Sequence, residues 1–158
     1  RYPMKAFTAV LSVAEIRAAR AFYEDLFGLE LYQDYGRNLT FTCGLSLQQD
    51  FHWLTGLSRA QIHPQPNNME LAFETEDLDG FLQKLRAYPH LQTLGGVVEH
   101  PWGQRVIRFY DLDGHLIEVG ESMKLVIRRF QAAGMTPEEI ARKMDVSLKD
   151  LDILLSTP

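Results

Sequence analysis

The order strand, helix, strand, strand, strand occurs twice along this chain, and that duplication constrains the fold more than any single motif. In the first pass residues 7–13 (FTAVLSV) are β-rich. Ala19, Phe22, Tyr23 and Leu26 then fall at i, i+3, i+4 and i+7, the stripe of an amphipathic helix over 15–27, with Gly28 as its C-cap. Three short strands are expected at 29–34, 38–42 and 45–49, with turn signals at Tyr35-Gly36 and Gly44. Cys43, beside Gly44, reads as a small buried side chain.

Residues 51–67 interrupt the rhythm with two prolines and no clear period, and read as a linker with one helical turn. The order then resumes. A strand over 69–75 precedes a helix over 77–88 carrying Leu78, Phe81, Leu82 and Leu85, and strands follow at 93–98, 105–110 and 116–121. Asp111-Leu112-Asp113-Gly114 is a hairpin-turn signal, and His115 reads as a stabiliser of that turn. Neither half can bury both faces of a curved sheet alone. The expectation is therefore an α+β fold, with two βαβββ modules over about 5–50 and 68–121 forming a curved mixed-sheet cup in one domain over 1–121.

Beyond it, residues 122–158 read as a helical tail. Met123, Val126, Ile127 and Phe130 form one stripe that Gly134 ends, and Thr136-Pro137-Glu138-Glu139 is a capping box with Pro at the first helical position. Ser147 opens a third helix over 148–155.

Composition narrows the functional classes. The chain is 46% hydrophobic, with two Trp, six Tyr and nine Phe, enough for a sizeable core. A net charge of −5 disfavours nucleic acid or an anionic membrane as partner. One cysteine excludes an internal disulfide and a cysteine metal cluster, and points to a reducing cytoplasm. No apolar run approaches the roughly 20 residues of a membrane span.

Two stretches resemble the vicinal-oxygen-chelate superfamily, which includes glyoxalases, bleomycin-resistance proteins and extradiol dioxygenases. Phe22-Tyr23-Glu24-Asp25-Leu26-Phe27-Gly28 is similar to the segment that ends its first helix. Pro101-Trp102-Gly103, continuing into Asp111-Leu112-Asp113-Gly114-His115-Leu116-Ile117-Glu118, is similar to its closing motif, with Leu112 where proline is usual. The resemblance covers about 5–121 and implies a small-molecule ligand, a homodimer and one divalent metal bound by the first, fourth, fifth and eighth strands.

Those ligand positions fall on Thr8, Gln48, Glu70 and Glu118. Strand alternation turns Glu118 away from the helix-covered Ile117 and Val119, and Glu70 away from Leu71 and Phe73. Glu70, Glu118 and Gln48 as metal ligands suit Mn²⁺ or Mg²⁺ over Zn²⁺, while Thr8, where His or Gln is usual, fits a relative without metal. In a metal-assisted lyase, isomerase or dioxygenase, Glu118 and Glu70 are the catalytic residues, with Glu70 as ligand or base. Thr8, Arg105 and Trp102 line the substrate pocket, Arg105 orienting an anionic group. Without a metal, the two carboxylates need an arginine, and Arg105 and Arg108 lie on opposite faces of one strand, so only one of them serves. Ligand sequestration without chemistry, as in drug-resistance relatives, is the alternative. His52 and His100 sit near expected pocket rims but read as loop residues.

The tail resembles a helix-turn-helix, yet residues 121–158 balance six Lys/Arg against six Asp/Glu. That balance favours an interaction or dimer-clasping role over DNA reading, with a ligand-sensing regulator as the weakest reading.

Overall fold

In the computed structural model, which describes residues 4–158, the first unit takes in the described residues up to 68 together with 110–115. Helix α1 (Ile16–Phe27) forms on its stripe. Glu15 caps it by accepting the Ala18 N–H at 2.7 Å, and Gly28, at φ +64°, turns the chain out while donating to the last carbonyls. Ala19, Phe22, Tyr23 and Leu26 are buried. Strands β1 (Ala9–Val13), β2 (Leu31–Asp34), β3 (Asn38–Phe41) and β4 (Leu45–Gln49) pair in the order β1-β4-β3-β2. β1 runs parallel to β4, with Val10 beside Ser46 and Ser12 beside Gln48. Leu11, Val13, Leu39, Phe41 and Leu47 supply this unit's core.

Three expectations need correction here. Strand β1 begins at Ala9, so Thr8 precedes it and is exposed. The linker carries helix α2 (Phe51–Thr55) and a further 3₁₀ turn at Arg59–Gln61 where one turn was expected. Cys43 is exposed, because it sits in the β3–β4 turn beside Gly44, whose φ of +96° makes that turn.

The hairpin tip at 110–115 joins this unit through Asp111, only 5% exposed. Its carboxylate accepts the Tyr23 hydroxyl at 2.5 Å, the Asp113 and His115 backbone N–H groups at 2.9 Å, and His115 Nδ1 at 2.8 Å. Gly114 holds φ +85°, and a β-carbon there would stand 2.9 Å from Pro64 Cβ. Gly114→Ala should therefore lower stability by about 2 kcal/mol, read by denaturant titration.

The second unit holds 69–109 and 116–158. Its sheet orders β5 (Leu71–Thr75), β8 (Leu116–Glu121), β7 (Arg105–Tyr110) and β6 (Val98–Glu99), with α3 (Leu78–Leu85) between β5 and β6 in sequence. The strand expected at 93–98 shrinks to β6 because Gly95 and Gly96 intervene, Gly95 at φ +69°, leaving Thr93 one bridge to Phe109.

Helices α4 (Met123–Ala132), α5 (Pro137–Met144) and α6 (Leu148–Ser156) complete this unit. Both cap signatures are realised: Thr136 and Glu139 exchange hydrogen bonds at 3.2 and 3.0 Å, and Ser147 accepts the Asp150 N–H at 3.0 Å. Ile127, Ile140, Met144 and Leu151 are buried together, with Trp102 and Phe130 packed against them. Among the described residues no helix is long and apolar enough to cross a membrane.

Candidate functional site

The site begins with parity on β7 and β8. Phe109 meets the ring of Phe81 on α3 at 6.1 Å, so odd-numbered β7 residues face that helix and Arg108 faces the other way. On β8 the same alternation buries Ile117 and Val119 and turns Glu118 to the side of Arg108. Arg108 Nη2 donates to Glu118 Oε1, and Nε donates to Glu70 Oε2 at 3.4 Å. One guanidinium thus spans both carboxylates. Their side chains are 28% exposed for Arg108, 16% for Glu118 and 36% for Glu70, so this is a half-buried cluster with one wet edge.

The loop Pro101–Gln104 supplies an aromatic wall. His100 Nε2 lies 3.2 Å from Arg108 Nη2, and the His100 ring stacks on Trp102 at 4.3 Å and 13°. The backbone closes that turn from Gly103 N–H to the His100 carbonyl at 2.8 Å, and Trp102 Nε1 donates to Gln104 Oε1 at 2.9 Å. Gly103 sits at φ +90° with Phe130 so close that any β-carbon would strike its ring. The loop is therefore clamped between the sheet and α4.

Arg105 belongs to a different cluster. It meets Glu121 Oε2 at 3.2 Å and the exposed Asp79 at 3.3 Å, on the helix-facing side, away from Glu118. Glu121 is 2% exposed and also takes both Arg129 nitrogens at 3.0 Å and the Arg105 backbone N–H at 2.9 Å. Burial by itself would raise its pKa, but the Arg129 and Arg105 hydrogen bonds outweigh it and hold the carboxyl at about 2. Arg129 also donates to the Gly103 carbonyl at 3.0 Å, so this cluster pins α4 to the loop.

Of the residues named from sequence, Glu70 and Glu118 are brought together by Arg108, with Trp102 one ring away through His100. Arg105 is not in that group. Thr8 and Gln48 lie in the first unit. Gln48 is buried, its Oε1 accepting from Asn38 at 2.9 Å and its amide donating to the Gln49 carbonyl at 2.8 Å. Glu121, Gln104 and Arg129 were not read as partners, being joined across 8 to 17 positions that carry no local signal. The parity of Phe109 could have selected Arg108 over Arg105, although Val106 and Tyr110 are equally apolar and blur it.

The two carboxylates expected to hold a divalent cation, Glu70 and Glu118, both meet Arg108. Both carboxylates of the second unit are already answered by a fixed positive charge, and an incoming dication would meet the guanidinium at close range. Among the described residues no group of three His, Cys, Asp or Glu is arranged to hold a metal.

Comparison with known proteins places the architecture. The Glyoxalase-like domain family matches residues 7–124. A protein of unknown function from Agrobacterium tumefaciens str. C58 is 33% identical, with 77% of this chain and 97% of that one covered and a TM-score of 0.64. Lactoylglutathione lyase from Agrobacterium tumefaciens is 24% identical over 77% of this chain and 96% of its own, TM-score 0.56. A genomically encoded fosfomycin resistance protein from Listeria monocytogenes is 19% identical over 77% and 94%, TM-score 0.57. No curated protein matches in sequence. The doubled module, both ordered motifs and the match over 7–124 agree: the chain belongs to the Glyoxalase-like domain family.

Proposed function

We propose that this chain is a small-molecule-binding member of its superfamily that holds its ligand without a resident divalent cation. The observation that carries this reading is Arg108, whose guanidinium lies against both Glu70 and Glu118. Two carboxylates and one guanidinium leave the cluster at net charge −1. That charge favours a neutral or cationic ligand bearing hydrogen-bond donors, and repels a carboxylate or phosphate. The stacked His100 and Trp102 offer an aromatic wall to a planar, drug-like body. Such a site binds and orients. Sequestration is the function it serves best, in a homodimer, as superfamily members commonly form, and in the cytoplasm, where the exposed thiol of Cys43 stays reduced.

The metal-assisted lyase or dioxygenase alternative requires Arg108 to leave both carboxylates. Arg108→Met decides between them, because it frees Glu70 and Glu118 while keeping the side-chain volume. The wild-type protein should carry sub-stoichiometric metal by elemental analysis and show no thermal shift with Mn²⁺ or Mg²⁺. The variant should gain a Mn²⁺-dependent shift. Stoichiometric metal in the gently purified wild type would overturn the proposal. Light scattering coupled to gel filtration reads the dimer.

A further inference from the structure

The first unit contains a cavity of about 310 Å³ that the Arg108 cluster does not use. The end of β1, the start of α2, the linker and the hairpin tip line it, with one side open to solvent. Its polar lining includes Arg59, His52, His63, His115 and Asp113, with Phe51 among its apolar walls.

The wall is built rather than incidental. Asp50 in the lining, and Gln65 and Asn67 in the segment that follows the lining residues His63 and Pro64, hold φ values of +54°, +54° and +59°, three of the four non-glycine residues in the left-handed region among those described. Backbone held there costs about 1 kcal/mol or more per residue and persists only where its surroundings fix it. Here they do. Gln65 N–H donates to the Gly114 carbonyl at 3.0 Å, Tyr110 donates to Asn67 Oδ1 at 2.5 Å, and Arg37 lies 3.8 Å over the Trp53 ring.

The lining also selects a ligand. Among the described residues Arg59 has no ion-pair partner, and the rings of His52 and His63 make no hydrogen bond. His115 is oriented by Asp111, itself held by Tyr23, which commits Nδ1 and leaves Nε2 uncommitted. The two carboxylates of the lining are partly answered: Asp50 pairs with Arg37 at 3.4 Å, and Asp113 accepts the Ala14 N–H at 2.8 Å. With Asp50 answered by Arg37, the lining keeps one unpaired charge of each sign, Arg59 and Asp113, so a single carboxylate finds its partner in Arg59 while a dianion would be repelled by Asp113 and Asp50.

We propose that this cavity is a second binding site, independent of the Arg108 cluster, for a small monocarboxylic acid. The ligand carboxylate pairs with Arg59, the imidazoles of His52 and His63 donate to it, and its apolar body lies against Phe51. His115, fixed by the Tyr23–Asp111 pair, presents Nε2 as the acceptor for a donor group on the ligand.

Sodium benzoate is the probe, followed by side-chain histidine NMR on the full chain. The expected result is a saturable shift of the His52, His63 and His115 resonances at millimolar benzoate with His100 unmoved, and weaker effects from inorganic phosphate. Arg59→Gln, at an exposed position, should leave the melting temperature unchanged and weaken benzoate about tenfold, or about 1.4 kcal/mol. Arg108→Met should keep the benzoate response, which separates this site from the one proposed above. No saturation with benzoate, shifts led by His100, or an Arg59→Gln variant with unaltered affinity would each overturn the proposal.

Discussion

Glu121→Ala should lower stability by about 3 kcal/mol and the melting temperature by about 10 °C. The carboxylate is 2% exposed and collects the Arg129 guanidinium, the Arg105 guanidinium and the Arg105 backbone N–H. Removing it leaves two guanidiniums facing each other and a backbone donor without its acceptor. It also frees α4 from the Gly103 loop, so loss of the His100–Trp102 stack, read by near-ultraviolet circular dichroism, should accompany the loss of stability. The pH dependence has a definite sign. With a folded-state pKa of about 2, below the ordinary value of 4.5, Glu121 contributes its full stabilisation above that ordinary value. The contribution declines as pH falls below 4.5 and is gone below about 2. Acid denaturation of wild type against Glu121→Gln, over that interval, measures it.

The second large effect is expected at Asp111. Asp111→Ala removes one acceptor from four donors: the buried Tyr23 hydroxyl, two backbone N–H groups and the His115 ring. A loss of about 3 kcal/mol follows, chiefly from the unmatched Tyr23 hydroxyl, itself 1% exposed. Tyr23→Phe should cost less, about 1 kcal/mol, because it removes one donor and leaves three. Burial raises the Asp111 pKa, yet the His115 hydrogen bond and charge, with the Tyr23 hydrogen bond, bring it below the ordinary value. This group therefore also stabilises above the ordinary carboxylate range and is lost on acidification below it. Burial, then the Asp111 charge, pushes the Tyr23 phenol well above its usual pKa, so alkaline titration should ionise Tyr23 only with unfolding.

Local chemistry made most elements of the fold legible in the sequence. The α1 stripe and its Gly28 cap, the Thr136 capping box, the Ser147 cap and the Asp111–Gly114 turn each depend on residues within a few positions of one another. The same locality explains the errors. Gly95 and Gly96 outweighed the apolar residues around them and shortened β6, and a positive φ at Gly44 put Cys43 on the surface.

What only the tertiary structure decided is which charges meet. Strand alternation already showed that Arg105 and Arg108 lie on opposite faces, and that two inward carboxylates need a cation. It could not say that Arg108 answers Glu70 and Glu118 across 38 and 10 positions, while Arg105 joins Glu121 and the tail. Nor did the Tyr23 and Asp111 motifs, each recognised alone, announce their bond across 88 positions. Periodicity assigns each residue a face, because side-chain direction repeats every two or about 3.6 residues. Pairing between faces depends on sheet register and helix docking, which long-range packing settles, and no local pattern records it.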